Sequence, residues 1–297
     1  MKKIRIILIA ILVICTSTFA DIQVKGADTM DYLVKRLATV YTQRHPGTVV
    51  TVNGGGAGTG IVDLINGKVD IANSARPLSV TEETIMKSKG ADLRPIVIAV
   101  YGLSIVVNPS NPVSNMSVDT LGRIFTGQIT NWRQIGGPDK RITLYGRQPN
   151  SGTFYFFSEH VMNEAGYSVS MNQLVGHSQI VNAVKKDGNA IGYVGIEYAL
   201  NDTKLFNGVK VINISMYSGG VAYNPAETRN IYSGKYPLAK GLTQYVNGAP
   251  KGEVLDFIKW ELGPEGQKVV DDEGFYRAGG VFIRDNDKAF VKKTTDI

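Results

Sequence analysis

Residues 49–67 read VVTVNGGGAGTGIVDLING. An apolar, β-branched run from Val49 to Asn53 passes through a glycine-rich turn, Gly54 to Gly60, into a second apolar stretch. Strand, turn and helix in that order form the repeating unit of an α/β architecture, since each sheet face needs a helix to cover it. The alternation recurs along the chain. PIVIAVYG (95–102) is followed by LSIVVN (103–108), and RITLYG (141–146) precedes TFYFFSEHVM (153–162). Helices are therefore expected on both sides of β-sheets, and no internal repeat or low-complexity segment interrupts the pattern.

The spacing of Leu33, Val34, Leu37, Val40 and Tyr41 predicts a helix over residues 31–45, stopped by Pro46 and Gly47. Val254, Phe257, Ile258 and Leu262 form a second stripe, with Gly263 and Pro264 breaking the helix before a shorter one begins. The chain exceeds the usual size of one hydrophobic core and is expected to divide into two lobes. Residues 94–108 and 210–223 are the expected crossings, the first joining two apolar strands through Tyr101 and Gly102. This places 21–101 and 223–297 in the first lobe and 102–222 in the second. Residues 281–297 mix charges of both signs and are expected to pack loosely.

Lys2, Lys3 and Arg5 precede an apolar run from Ile6 to Ile14 and a small polar stretch ending at Ala20. That is the pattern of a secretory signal peptide over residues 1–20, too short to span a bilayer as roughly 20 helical residues would. Cys15, the one cysteine, lies inside it, so cleavage leaves no thiol for disulfides, metal sites or nucleophilic catalysis. A lipid anchor at Cys15 is the rival reading, disfavoured by the bulky Ile14 before it. The formal charge of +6 falls near +3 once the three basic residues of this segment are removed. No Lys/Arg stripe interleaved with aromatics is present, which argues against a nucleic-acid partner.

Three turns carry the chemistry. They are Gly26-Ala27-Asp28-Thr29-Met30, Gly54 to Gly60, and Arg147-Gln148-Pro149-Asn150-Ser151-Gly152-Thr153, each between a predicted strand and a predicted helix. The first N–H groups of a helix lack internal partners and carry the positive end of its dipole, so an anion placed there gains hydrogen bonds and field. Arg147, four residues before Ser151, adds a guanidinium fork suited to paired oxygens. Ser151 and Thr29 could instead serve only as helix N-caps. In the segment Asp70 to Pro77, Arg76 either contacts the anion or holds a lobe-closing ion pair, while Asp70 braces the loop. No lysine follows the glycines as in a nucleotide-binding loop, no Gly-Xaa-Ser-Xaa-Gly elbow occurs, and His45, His160 and His177 show no metal spacing. A cofactor is not expected.

At these residues the sequence resembles the PstS family of periplasmic phosphate-binding proteins that serve ABC importers. The likeness runs from Ile22 to Tyr276 and includes the Gly-Ala-Asp-Thr turn, the triple glycine, Asp70-Ile71-Ala72-Asn73-Ser74, Arg147 with Ser151-Gly152-Thr153, Ala190-Ile191-Gly192-Tyr193 and Tyr236-Pro237-Leu238-Ala239. It implies a two-lobed, type II Venus-flytrap fold, each lobe a mixed β-sheet flanked by helices, hinged by two crossings. It assigns the anion to Thr29 with the Met30 N–H, to the turn near Ala57, to Ser74, Ala75 and Arg76, and to Arg147, Ser151, Gly152 and Thr153. Three positions depart from the family pattern: Ala27 and Ala57 stand where serine is usual, and Ala75 where serine or aspartate is expected.

Lost hydroxyls bear on selectivity. Monohydrogen phosphate carries a proton that needs an acceptor, and an unmatched buried polar group costs about 1–3 kcal/mol. Asp28 either accepts that proton and repels sulfate, or only favours the positive helix start. The resemblance implies a monomer that captures inorganic phosphate and delivers it to a membrane ABC transporter permease, outside the cytoplasm. Sulfate, molybdate or tungstate binding, or a phosphatase or adhesin on the same scaffold, are the rival readings.

Overall fold

The computed structural model describes residues 20–149, 151–199 and 208–291. Residues 1–19, on which the expected signal peptide and Cys15 fall, and the end of the charged tail lie outside the described residues. Strands and helices alternate from the start: β1 (Ala20–Gly26), α1 (Asp28–Arg44), β2 (Thr48–Asn53), α2 (Ala57–Ile65), β3 (Ile71–Ser74) and α3 (Val80–Ser88). A long strand, β4 (Leu93–Val107), leads to β5 (Asn115–Ser117), α4 (Val118–Phe125), β6 (Thr143–Arg147), α5 (Gly152–Val161), β7 (Asn172–Leu174), α6 (His177–Lys186), β8 (Ala190–Gly195) and α7 (Ile196–Ala199). The remainder comprises β9 (Lys210–Val211), β10 (Asn213–Ser215), α8 (Thr228–Tyr232), β11 (Ala239–Asn247), α9 (Gly252–Leu262), α10 (Pro264–Asp272), β12 (Tyr276–Arg277) and α11 (Asn286–Phe290).

The strands hydrogen-bond in the order β2-β1-β3-β11-β4-β8-β6-β7, with β9 and β12 also paired to β4. Strand β4 organises the whole sheet. Its residues from Leu93 to Gly102 run antiparallel to β11, and from Leu103 to Val107 antiparallel to β8. The two apolar runs on either side of Tyr101 and Gly102 are thus one continuous strand that changes partner at Gly102. Each wing beyond it is parallel: β1 with β2 and β3, and β6 with β7 and β8. In parallel sheets of this kind ligands gather at the carboxyl ends of the strands, where the following helices begin.

Helices cover both faces, as the strand alternation requires. On the first wing α1 buries Met30, Leu33, Val34 and Leu37 in the same core as Ile22, Val24 and Ile71, while α2 buries Ile61 and Leu64 against Ala72 and Tyr245 on the other face. On the second wing Phe157 of α5 stacks on Tyr193 of β8 with ring centroids 4.1 Å apart, and α6 buries Ile180, Val181 and Val184 against Val106 and Val194. Helix α1 begins three residues earlier than the apolar spacing predicts. Periodicity marks only the buried stripe, whereas Asp28 and Asp31 favour the first turn through the helix dipole.

Glu261 of α9 is fully buried, with Gln244 Nε2 donating to its Oε1 at 3.2 Å. Burial lifts its carboxyl well above the usual range, so it stays neutral. The described part of the tail does not pack loosely. Asn286 brackets Val97 of β4, accepting from its N–H and donating to its C=O, both at 2.9 Å, and Arg94 donates to the carbonyls of Ala289 and Val291.

Close packing of α2 on β1 gives a test. A Cβ at Gly60 would lie 2.4 Å from the Lys25 carbonyl oxygen, whereas one at Gly58 meets the ends of two side chains, Glu82 Oε1 at 3.4 Å and Arg76 Nη2 at 3.8 Å. Gly60→Ala is expected to destabilise the protein by about 1–3 kcal/mol in a denaturant melt, with Gly58→Ala close to wild type.

Candidate binding cleft

Helix α1 starts directly after β1, and α5 directly after the turn that follows β6, so both present their amino ends at the carboxyl edge of the sheet. Neither receives a side-chain cap among the described residues: the residues before them, Ala27 and Ser151, make no such bond. Thr29 is the second residue of α1 rather than its cap. The two ends touch. A Cβ at Gly152 would stand 2.9 Å from Thr29 Cα and 3.1 Å from its carbonyl oxygen, so only glycine lets the helices approach this closely. Two positive helix ends meeting without capping groups make an environment that favours negative charge.

A cleft of about 800 Å³ opens beside this contact, and Thr29, Arg147, Ser151, Gly152 and Thr153 line it. Thr29 Oγ1 and Arg147 Nε are buried and find no partner among the described residues. Buried polar groups in native proteins are nearly always paired, so these two donors each have a hydrogen bond still to make. The Arg147 N–H donates to Tyr193 Oη at 3.1 Å, which fixes the end of β6. Thr153 Oγ1 lies 2.6 Å from Tyr101 Oη, tying the start of α5 to the strand that joins both wings.

Three further residues of the cleft were missed by the sequence reading. His177 Nε2 sits 2.9 Å from Arg147 Nη1, and burial, then the Arg147 charge, pushes its pKa down to about 3. Glu197 lines the same cleft, and burial raises its carboxyl to about 8, so it is largely protonated at neutral pH. Tyr101 is held far above the ordinary phenol value, by burial first and then by Glu197. A signal for His177 existed: Leu174-Val175-Gly176-His177 is a fourth glycine-bearing passage from strand to helix. Nothing in the sequence distinguishes Glu197, because its burial is a tertiary outcome.

The other predicted positions lie outside the cleft lining. Asp28 is exposed, and its Oδ1 accepts from the Gly55 N–H at 3.0 Å, bracing the glycine turn. The Ala27 N–H donates to the Asn73 carbonyl at 2.9 Å, and the Met30 N–H to the Ala27 carbonyl at 3.0 Å. Ala57 opens α2, whose preceding Gly56 has φ 86°. Ser74 Oγ donates to the Arg76 carbonyl at 2.7 Å, and Ala75 is buried. Arg76 forks onto Glu82 with two bonds of 2.8 Å, and its Nε lies 3.8 Å from Glu159 of α5. Of the two roles open to Arg76, this geometry matches the ion pair between wings.

The chain matches the PBP superfamily domain over residues 16–265. The phosphate-binding protein PstS of Bacillus subtilis is 30% identical over 260 residues, spanning 86% of this chain and 80% of its own. Among solved structures, a possible phosphate binding protein from Planctomyces limnophilus superposes with a TM-score of 0.81 at 27% identity, covering 91% of this chain and 97% of the other. An ABC-type phosphate transport receptor from Vibrio cholerae gives a TM-score of 0.67 at 28% identity, covering 86% and 99%. With the mixed α/β sheet flanked by helices, these matches identify the two-lobed periplasmic binding protein fold. The chain belongs to the PBP superfamily and, within it, to the PstS family.

Proposed function

We propose that this protein is an exported solute-binding protein that holds inorganic phosphate between its two lobes and delivers it to the permease of an ABC importer. The lobes of this reading are residues 21–101 with 223–297, and residues 102–222, exchanging at Gly102 of β4. One observation carries it: the uncapped amino ends of α1 and α5, one from each lobe, touch through Gly152 and Thr29 beside the unpartnered Nε of Arg147. Neither lobe alone assembles those donors, so an anion bound there favours the closed arrangement by its differential affinity. Relatives named for phosphate binding and phosphate transport supply the identity of the anion. Export rests on the signal-peptide pattern of residues 1–20.

In this reading Asp28 braces the glycine turn through Gly55 rather than meeting the anion. Of the carboxyls lining the cleft, Glu197 is the one that burial holds protonated, and its ionisation is coupled to folding. Its folded pKa of about 8 lies above the ordinary glutamate value of 4.5, so the folded state keeps a proton that the unfolded chain releases between those values. The resulting stability is complete below the unfolded pKa and is lost as pH rises through about 8.

Titration calorimetry is expected to show phosphate binding by the wild type, with Arg147→Ala weakening it roughly tenfold to a hundredfold. Asp28→Asn should leave the preference for phosphate over sulfate unchanged; binding of sulfate, molybdate or tungstate but not phosphate would overturn the choice of anion. In thermal melts from pH 5 to 9, Glu197→Gln should flatten the alkaline fall in stability relative to wild type, and parallel curves for the two would contradict the assignment.

A further inference from the structure

Arg147 and His177 meet in a contact that anion binding alone does not explain. The guanidinium Nη1 lies 2.9 Å from the imidazole Nε2. Arginine carries donors only, so Nε2 presents its lone pair and the ring proton sits on Nδ1. The competing donor, the Gly195 N–H, is 3.3 Å from Nδ1. A charge-assisted bond at the shorter distance prevails over a neutral one at the longer.

We propose that His177 is the positioning residue of Arg147: its Nε2 lone pair holds the Nη1 corner of the guanidinium, so that the Nε–Nη2 edge is the fork offered to the oxyanion. This rests on the reading of Arg147 as an anion ligand.

The edge left over is the one with a hydrogen bond still to make, since Nε is buried and without a partner among the described residues. His177 is itself held in place. Its ring stacks on Tyr198 of α7 with centroids 4.6 Å apart, and its Nε2 lies 3.4 Å from Thr153 Oγ1, which Tyr101 Oη holds at 2.6 Å. A guanidinium with one corner anchored loses less freedom on binding than a free side chain does, and such preorganisation raises affinity.

An imidazole also suits the task electrostatically. A carboxylate in its place would neutralise part of the arginine charge, whereas a neutral acceptor orients the fork and leaves the full charge for the ligand. The groups facing the ring are Arg147 from β6, Thr153 from α5 and Tyr198 from α7, with Tyr101 of β4 and Glu197 lining the same cleft. Burial and the adjacent Arg147 charge both oppose protonation of the ring, pushing it to about 3. The contact therefore persists through the pH range in which an exposed histidine would ionise.

Glutamine at 177 can set its amide oxygen where Nε2 stands, while asparagine reaches only the Nδ1 position. In the ligand-free protein, 15N NMR should find the His177 proton on Nδ1 at pH 7. It should also find hindered rotation of the Arg147 guanidinium that survives in His177→Gln and is lost in His177→Asn. Calorimetry with inorganic phosphate should place His177→Gln within a few-fold of wild type and His177→Asn roughly ten- to thirtyfold weaker, with melts confirming that both variants fold. A ring proton on Nε2, or equal phosphate affinities for the two variants, overturns the proposal. If the NMR pattern is found but the wild type binds no phosphate, the functional reading fails while the positioning role stands.

Discussion

At position 152 any side chain would collide with the backbone of Thr29, 123 residues earlier in the chain. The contact places the amino ends of α1 and α5 against each other, and like helix ends repel. Two uncapped positive ends are held together by the packing behind them: α1 on β1 and β3, α5 on β6 and β8, and both wings on the single strand β4. An anion in the adjoining cleft relieves that repulsion and satisfies Thr29 Oγ1 and Arg147 Nε at once. Sheet topology thus creates an electrostatic cost that an oxyanion bound as proposed would remove.

The charges around the cleft reinforce this. His177 is kept neutral by burial and by Arg147, and Glu197 is kept largely neutral by burial, so Arg147 dominates the inner cleft. Three further carboxylates line the cleft, each already matched: Asp271 by Arg277, Asp272 by Lys268 and Glu273 by Arg36. On the far side of α5, Arg76 joins Glu82 and Glu159, a second link between wings that uses no ligand. In the proposed reading, closure has a ligand-dependent half at Thr29 and Arg147 and a built-in half at Arg76.

The strand and helix pattern was legible because burial on a sheet or helix face imposes a period on the sequence, as with Leu33, Leu37 and Tyr41 of α1 or Phe257 and Ile258 of α9. The helix-start residues of the cleft were legible for a related reason: glycine and hydroxyl residues between strand and helix report a local backbone requirement. Partner choice was not. Asp28 turns to Gly55, Ser74 closes on its own loop, and Arg76 reaches a glutamate 83 positions later, and none of these follows from local sequence. Glu197 and Glu261 carry the same side chain as any surface glutamate; only the packing around them makes them neutral.

If the anion sits where the two helix ends converge, a crystal structure of the protein grown with phosphate will show a tetrahedral ion within hydrogen-bond distance of Thr29 Oγ1, Arg147 Nε and the first N–H groups of α1 and α5. A phosphate bound elsewhere on the chain, with that junction left empty, would contradict this placement.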